Sequence, residues 1–493
     1  MSKKIHARRQ GSRTPPASGR KPSTRLRLSD FDYISDELVV YHHCFFHVFQ
    51  RREQRHCSLF YLCGQLSDLA RKTIEPMVLA FKGPDLNAVR ALQQFIGQSA
   101  WETSALIIQH QALVGAWLGE AHGVIIVDGS GFPKQGEYSA GVAHQYCGHL
   151  GKVANCQEGV FLVYASSQGY TFLDSRLYLP AAWLADDFAD KRQRCGIPDQ
   201  ITFHTEPALA LQMLTEVHTR QVVPFQWVAC DAHFGQNPAF LAGIAALGKW
   251  YFTEVPCDTR VWLRAPQLEP PGRGPLGRPR THPRVKHSAP RPRELRELAN
   301  TLPRQQWKRY AIKAGSKGTV QAEFAFLRVT TVRQQLPDAR VWAVFRRSLD
   351  PQPELKFHLC NAPADCPPQV LAQMSGWRWP IETVLEEAKG EVGMDQYETR
   401  SWLGWHHHMA QTFLAHCFLT HIRLLLKKSP GLDRRASPSV GRQCVAGRRA
   451  IVPRYLGHHR ISATPQLRRL SRTSQAHSET QDVTETIGSP EIS

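Results

Sequence analysis

The chain has 493 residues, 42% of them hydrophobic, and a formal net charge of +19 from 61 Lys and Arg against 42 Asp and Glu. That length exceeds one usual domain and predicts two or three units with a sizeable core, while the charge predicts attraction to a polyanion, nucleic acid being the commonest. The twelve cysteines never fall at C-x-x-C spacing, which argues against a zinc site. With no apolar run of the ~18 residues that a membrane helix needs and no signal-peptide core, a soluble cytoplasmic protein without membrane contact is expected.

Residues 1–29 carry nine Lys or Arg and no acid among scattered Ser, Pro and Gly, and read as a disordered basic arm. In 30–120 the period is helical: Leu59, Leu62, Leu66 and Leu69, then Val89, Leu92, Phe95 and Ile96, recur at steps of three and four. A helical DNA-binding unit is expected there. From 121 to 257 the period shortens. Gly123–Val127 reads as a buried strand ending at Asp128 and broken by Gly129-Ser-Gly131; residues 158–164 and 170–178 read as a hairpin; a helix near 208–220 precedes a strand over 225–230 that ends at Asp231; a helix and a strand follow at 238–247 and 250–255.

Residues 258–365 read as a β-rich insertion. It holds a Pro-rich loop with seven Lys or Arg between Arg273 and Arg293, and strands near 324–331, 341–346 and 357–360. Residues 366–428 resume the core with two helices, and 429–493 read as a basic, unstructured tail.

The stretch Arg378-Trp-Pro-Ile-Glu382-Thr-Val-Leu-Glu-Glu-Ala-Lys389 places one carboxylate between two cations on one helical face, with Pro380 acceptable in the first turn. Glu382 could be a solvated acid balanced by Lys389, and Glu386 shares roughly its face. Asp128 and Asp231 could likewise be turn residues or helix caps. Together, two strand-end aspartates and a helix glutamate would form a three-carboxylate cluster, which repels itself unless cations occupy it. Such an oxygen-rich set suits two Mg²⁺ or Mn²⁺ ions. A pair about 3.5–4 Å apart activates water and stabilises the leaving 3′-oxygen in phosphodiester cleavage.

The order strand–Asp, hairpin, strand–Asp, insertion, helix–Glu resembles the insertion-sequence DDE transposases that carry a Y-x2-R-x3-E-x6-K signature. Arg378, Glu382 and Lys389 match it, and Ser375 stands at its tyrosine position. The stretches 127–136, 167–170, 174–180 and 229–238 are also similar to motifs of that branch. The resemblance covers roughly residues 35–425.

It implies an α/β fold with a ribonuclease H-like core, a mixed sheet flanked by helices, an N-terminal helical domain and the β-rich insertion between the second Asp and the Glu. It implies Asp128, Asp231 and Glu382 as catalytic metal ligands. Arg378 and Lys389 would contact DNA phosphates, and a tryptophan from the insertion would stack on a flipped base, with Trp262 the candidate against a plain packing role. Lys134, from its place close after Asp128, reads either as a phosphate contact or as a surface lysine. The implied activity is Mg²⁺- or Mn²⁺-dependent cleavage at terminal inverted repeats and strand transfer to target, with double-stranded DNA as partner and self-association on it. Two alternatives stay open: a DNA-binding derivative that no longer cuts, and a ribonuclease H-like nuclease without strand transfer.

Overall fold

The computed structural model describes residues 28–148, 150–272, 280–315 and 318–428; the basic arm (save its last two residues) and the tail lie outside them. The helical period of the first unit gives α1 (Leu28–His43), α2 (Arg52–Gln65), α3 (Ile74–Lys82), α4 (Leu86–Gly97) and α5 (Thr103–Leu118). Leu62, Leu66, Leu92, Phe95 and Ile96 are buried, as their spacing requires. Asp85 caps α4 by accepting from the Ala88 N–H at 3.0 Å.

The strands that follow are β1 (Val124–Pro133), β2 (Ala143–Cys147), β3 (Lys152–Ala165) and β4 (Tyr170–Tyr178). After two short 3₁₀ turns come α6 (Ala189–Cys195), α7 (Glu206–Arg220), β5 (Trp227–Cys230), α8 (Ala232–Gly235), α9 (Pro238–Ala246) and β6 (Trp250–Val255). The next stretch gives β7 (Arg260–Trp262), β8 (Leu268–Glu269), β9 (Arg284–Val285), β10 (Arg293–Glu294), α10 (Leu295–Thr301), β11 (Lys308–Gly315), β12 (Gly318–Arg333), β13 (Leu336–Arg347) and β14 (Leu355–Cys360). The chain continues through α11 (Pro368–Met374), α12 (Trp379–Val392) and α13 (Trp402–Lys428).

One twelve-stranded mixed sheet runs β10-β7-β12-β13-β14-β6-β5-β1-β3-β2, with β11 beside β12 and β4 beside β3. Among the described residues this is an α/β architecture, a large mixed sheet flanked by helices. β1, β5 and β6 are parallel neighbours, and the remaining pairings are antiparallel. The stretch 258–365 does not stand apart as a β unit: β14 pairs with β6, so β12 and β13 extend the same sheet.

The sequence pattern puts the end of the first strand at Asp128. Instead β1 runs on to Pro133, because β3 stays paired with it from Val124↔Ala165 to Pro133↔Cys156. What ends near Asp128 is the parallel pairing with β5, whose last pair is Val127↔Cys230. β2, α6, α8, β7 to β11, α10 and α11 are additional to the elements expected from the sequence.

Side-chain alternation along β1 divides the core. Val124 and Ile126 join the cluster under α12 and α13, whereas Ile125 and Val127 join the one containing α7. α13 is the strut between the helical unit and the sheet, burying Trp405, Met409, Phe413 and Phe418. Its histidines are structural. His407 bonds the Ile96 and Trp101 carbonyls at 3.0 Å each, and His408 bonds the Tyr61 hydroxyl at 2.8 Å and the Met394 carbonyl at 3.0 Å. Burial depresses both imidazoles to about 4; a neutral His408 can accept from Tyr61 and donate to Met394, whereas a neutral His407 can donate to only one of its two carbonyls. No helix among the described residues is long and apolar enough to cross a membrane.

Candidate active site

Asp128 and Asp231 each follow directly on the last paired residues of two neighbouring parallel strands, Val127 and Cys230. Strands lie about 4.8 Å apart, so the two acids emerge side by side. By alternation Asp128 faces α12. Ile381, Val384, Ala388 and Val392 are buried at three- and four-residue steps along that helix. Burying Ile or Val contributes roughly 1.5–3 kcal/mol each, which anchors the helix and turns Arg378 and Glu382 toward the sheet edge.

Arg378 is the residue that ties the cluster together. Its Nη1 lies 3.7 Å from Asp128 Oδ2, and its Nη2 forms an ion pair with the Glu382 carboxylate. Burial and the neighbouring Asp231 charge push the Asp128 carboxyl up to about 7; Arg378 and the Gly129 N–H oppose the rise, and Glu382 adds to it. Asp128 thus senses both other acids. Glu386 is exposed one turn further on.

The three carboxylates are nevertheless not drawn to a common point. Among the described residues no three His, Cys, Asp or Glu stand ready to hold a metal ion. Two local commitments explain this. Asp231 caps α8, accepting from the His233 and Phe234 N–H groups at 3.0 and 3.3 Å, and Glu382 is held by Arg378. The donor chemistry still fits a hard cation: three carboxylates, two of which raise the proton affinity of Asp128, offset here by a guanidinium.

The other expected DNA contacts lie as follows. Lys389 points down β1, its Nζ 3.5 Å from the Gly131 carbonyl and 5.2 Å from the centre of the Phe132 ring. Lys134 does not reach outward: its Nζ sits 3.4 Å over the Tyr397 ring, and burial lowers it to about 8. Trp262 is 3% exposed and donates its indole N–H to the Pro290 carbonyl at 3.0 Å, so its faces are packed and it is not available to stack on a base. The tryptophan exposed at the site is Trp379, with Lys313 Nζ 3.9 Å over its ring. His144 is exposed on β2, and His149 lies outside the described residues.

Sequence reasoning misses the acids behind β1. Glu158, paired with Gly131 across the sheet, and Glu206, at the start of α7, face Gly129 from the α7 side. A Cβ on Gly129 would lie 2.9 Å from Glu158 Oε1 and 3.6 Å from Glu206 Oε2. Burial and the Glu206 charge push Glu158 up to about 8 against the pull of Lys389. His233 ties this group to the Asp231 turn through a 3.1 Å contact with Glu206. The signal is present in the chain: glycines inside a strand mark close approach, although Gly129-Ser-Gly131 by itself reads as a break.

The sequence pattern of the DDE superfamily endonucleases matches residues 44–319, over half of the chain. The chain belongs to that family. The match takes in Asp128 and Asp231 and stops short of Glu382. A curated relative from Microchaete diplosiphon, described as "Probable transposase for insertion sequence element IS701", is 23% identical over 336 residues, 68% of this chain and 74% of its own length. The likeness to insertion-sequence DDE transposases is therefore borne out, and the chain is placed with endonucleases that act on DNA.

Proposed function

We propose that this DDE endonuclease is the transposase of an insertion sequence, which binds the element's terminal inverted repeats, cuts there, and transfers the strand ends to target DNA. The observation that carries the reading is the emergence of Asp128 and Asp231 side by side from parallel β1 and β5, under a helix whose Arg378 touches both Asp128 and Glu382. A ribonuclease H-like core with β12–β14 as its elaboration accommodates that order of elements.

Asp128, Asp231 and Glu382 would hold Mg²⁺ or Mn²⁺, two ions in all. When bound, these lower the pKa of a water and stabilise the leaving 3′-oxygen. The protein groups do the rest. Asp128, with its proton affinity near neutrality, must lose its proton to ligate. Arg378, planar and always charged, offsets Asp128 and Glu382 until DNA arrives and then contacts a backbone phosphate. Lys389 lies close enough along β1 to contact a second phosphate. The basic character of the chain supplies sequence-independent affinity, and two ends would be held by two copies on DNA in the cytoplasm.

The test is Mg²⁺-dependent cleavage of DNA carrying the element's ends by wild type and Asp128→Ala. Cleavage and joined products from wild type alone are expected. Cleavage without joined products would reduce the assignment to a nuclease, and equal inertness of both proteins would leave only a DNA-binding protein.

A further inference from the structure

Beside Glu382 the sheet face opens into a cavity of about 210 Å³, whose walls include Arg346, Lys356, His358, Ser375, Arg378 and Trp379. We propose that Arg346 and Lys356 form a second phosphate-binding subsite in this cavity, opened by Ser375, which grips the DNA strand beyond Arg378. The proposal rests on DNA being the substrate and adds residues that hold it.

Several observations carry it. Arg346 and Lys356 are directly paired across antiparallel β13 and β14, so both side chains project from one face of the sheet. Like charges in that position destabilise a sheet pair, a cost that an anion between them would remove. Lys356 is partly offset by Glu254 at 3.5 Å and Glu354 at 3.7 Å. The Arg346 guanidinium is only partly exposed and makes no hydrogen bond or close ion pair with a described residue; the Glu254 and Glu354 carboxylates act on it at longer range. Next along β14, His358 is 5% exposed and its Nδ1 lacks a hydrogen-bond partner. The site thus combines a guanidinium fork and a point charge, which suit a phosphodiester, beside the Glu254 and Glu382 carboxylates that also line it.

Size and position agree with this. The cavity is several times the ~30 Å³ share of a water molecule, ample for a phosphate group. Ser375, whose hydroxyl donates to the Ala372 carbonyl at 2.7 Å, presents only a small side chain to it. A tyrosine ring at that position, as in the Y-x2-R-x3-E-x6-K signature, would occupy much of the space. Ala229 and Phe252 also line the cavity, and they belong to the same core cluster as Val124 and Ile126, on the sheet face that carries Asp128. From β1 across β5, β6 and β14 to β13 is four strand spacings, about 19 Å at ~4.8 Å each. A strand cut at Asp128 would therefore meet Arg346 further along its backbone.

The experiment measures binding of a fluorescent duplex with a single-stranded 3′ tail, of arbitrary sequence, by full-length wild type, Arg346→Gln and Ser375→Tyr. Removing one phosphate ligand should flatten the log–log salt slope by about 0.9, so the wild-type advantage shrinks about 3.5-fold between about 50 and 200 mM salt. Ser375→Tyr fills the cavity without removing a charge and should give the same flattening. It also guards against a folding defect in Arg346→Gln, with melting temperature measured alongside. If both variants keep the wild-type slope while wild type binds and cleaves, the subsite is wrong and the transposase reading stands. If wild type does not bind the duplex, both fall. Inorganic phosphate at matched ionic strength competes for the same subsite and should displace duplex more readily from wild type than from Arg346→Gln; equal displacement from both would contradict a phosphate site at Arg346.

Discussion

Glu382 and Glu387 stand five residues apart on α12 in opposite surroundings. The Glu382 side chain is 48% exposed and paired with Arg378 at the mouth of the site, whereas that of Glu387 is 12% exposed and locked against α13. Glu387 Oε2 accepts from Arg423 at 2.9 Å and from His416 Nε2 at 3.3 Å. His416 is fully buried, which lowers its proton affinity. It therefore serves as a neutral donor, with its Nδ1 facing the Thr171 hydroxyl at 3.1 Å. Burial alone would raise the Glu387 carboxyl, yet the His416 hydrogen bond and the Arg423 charge hold it down at about 2. The lesson is a division of labour along one helix. Its far half is tied to α13 by a buried charge pair, which leaves the near half free to present an acid and a guanidinium.

Changes at the two ends should accordingly separate activity from stability. The largest expected effect is on chemistry: Glu382→Gln should lower DNA cleavage about a thousandfold, on the order of 4 kcal/mol of transition-state stabilisation, with an unchanged melting temperature. A comparable loss of fold stability in that variant would erase the distinction. Next comes Glu387→Ala, which strands Arg423 in a half-buried setting and should cost about 3 kcal/mol of stability in denaturant titration. Cleavage per folded molecule should fall far less than for Glu382→Gln.

The pH dependence sharpens the same contrast. Glu387 is depressed from an unfolded value near 4.5 to about 2, so the folded state binds its proton less readily than the unfolded chain. Its stabilisation is complete above about 4.5 and is lost as pH falls toward about 2. The stability gap between wild type and Glu387→Gln should close over that window; a gap constant from pH 6 down to about 2 would contradict the charge-pair account. The smallest effect belongs to Glu386→Gln, an exposed change expected to alter stability by under about 0.5 kcal/mol and cleavage by no more than about twofold.

Much of this division can be read from the sequence, and the unread part has one cause. The spacing of Arg378, Glu382 and Lys389 and the two strand-end aspartates depend on local periodicity, which a single chain displays. Long-range pairing is not displayed. Gly129-Ser-Gly131 looks like a turn until β3 is known to continue beside it and Glu158 to press on Gly129. Trp262 and Lys134 look available because nothing local reveals the Pro290 carbonyl or the Tyr397 ring that occupies each of them. The insertion looks separate because the β14–β6 pairing joins residues about a hundred positions apart.

The central claim is that Asp128, Asp231 and Glu382 act together as cation ligands once Arg378 and the α8 cap release them. Titration of the full-length protein with Mn²⁺, followed by loss of the free-ion electron paramagnetic resonance signal, tests it most directly. Wild type should bind, and Asp128→Asn, Asp231→Asn and Glu382→Gln should each weaken binding by tenfold or more, about 1.4 kcal/mol. Wild-type affinity retained in Glu382→Gln would contradict the account, because the helix acid would then be no ligand.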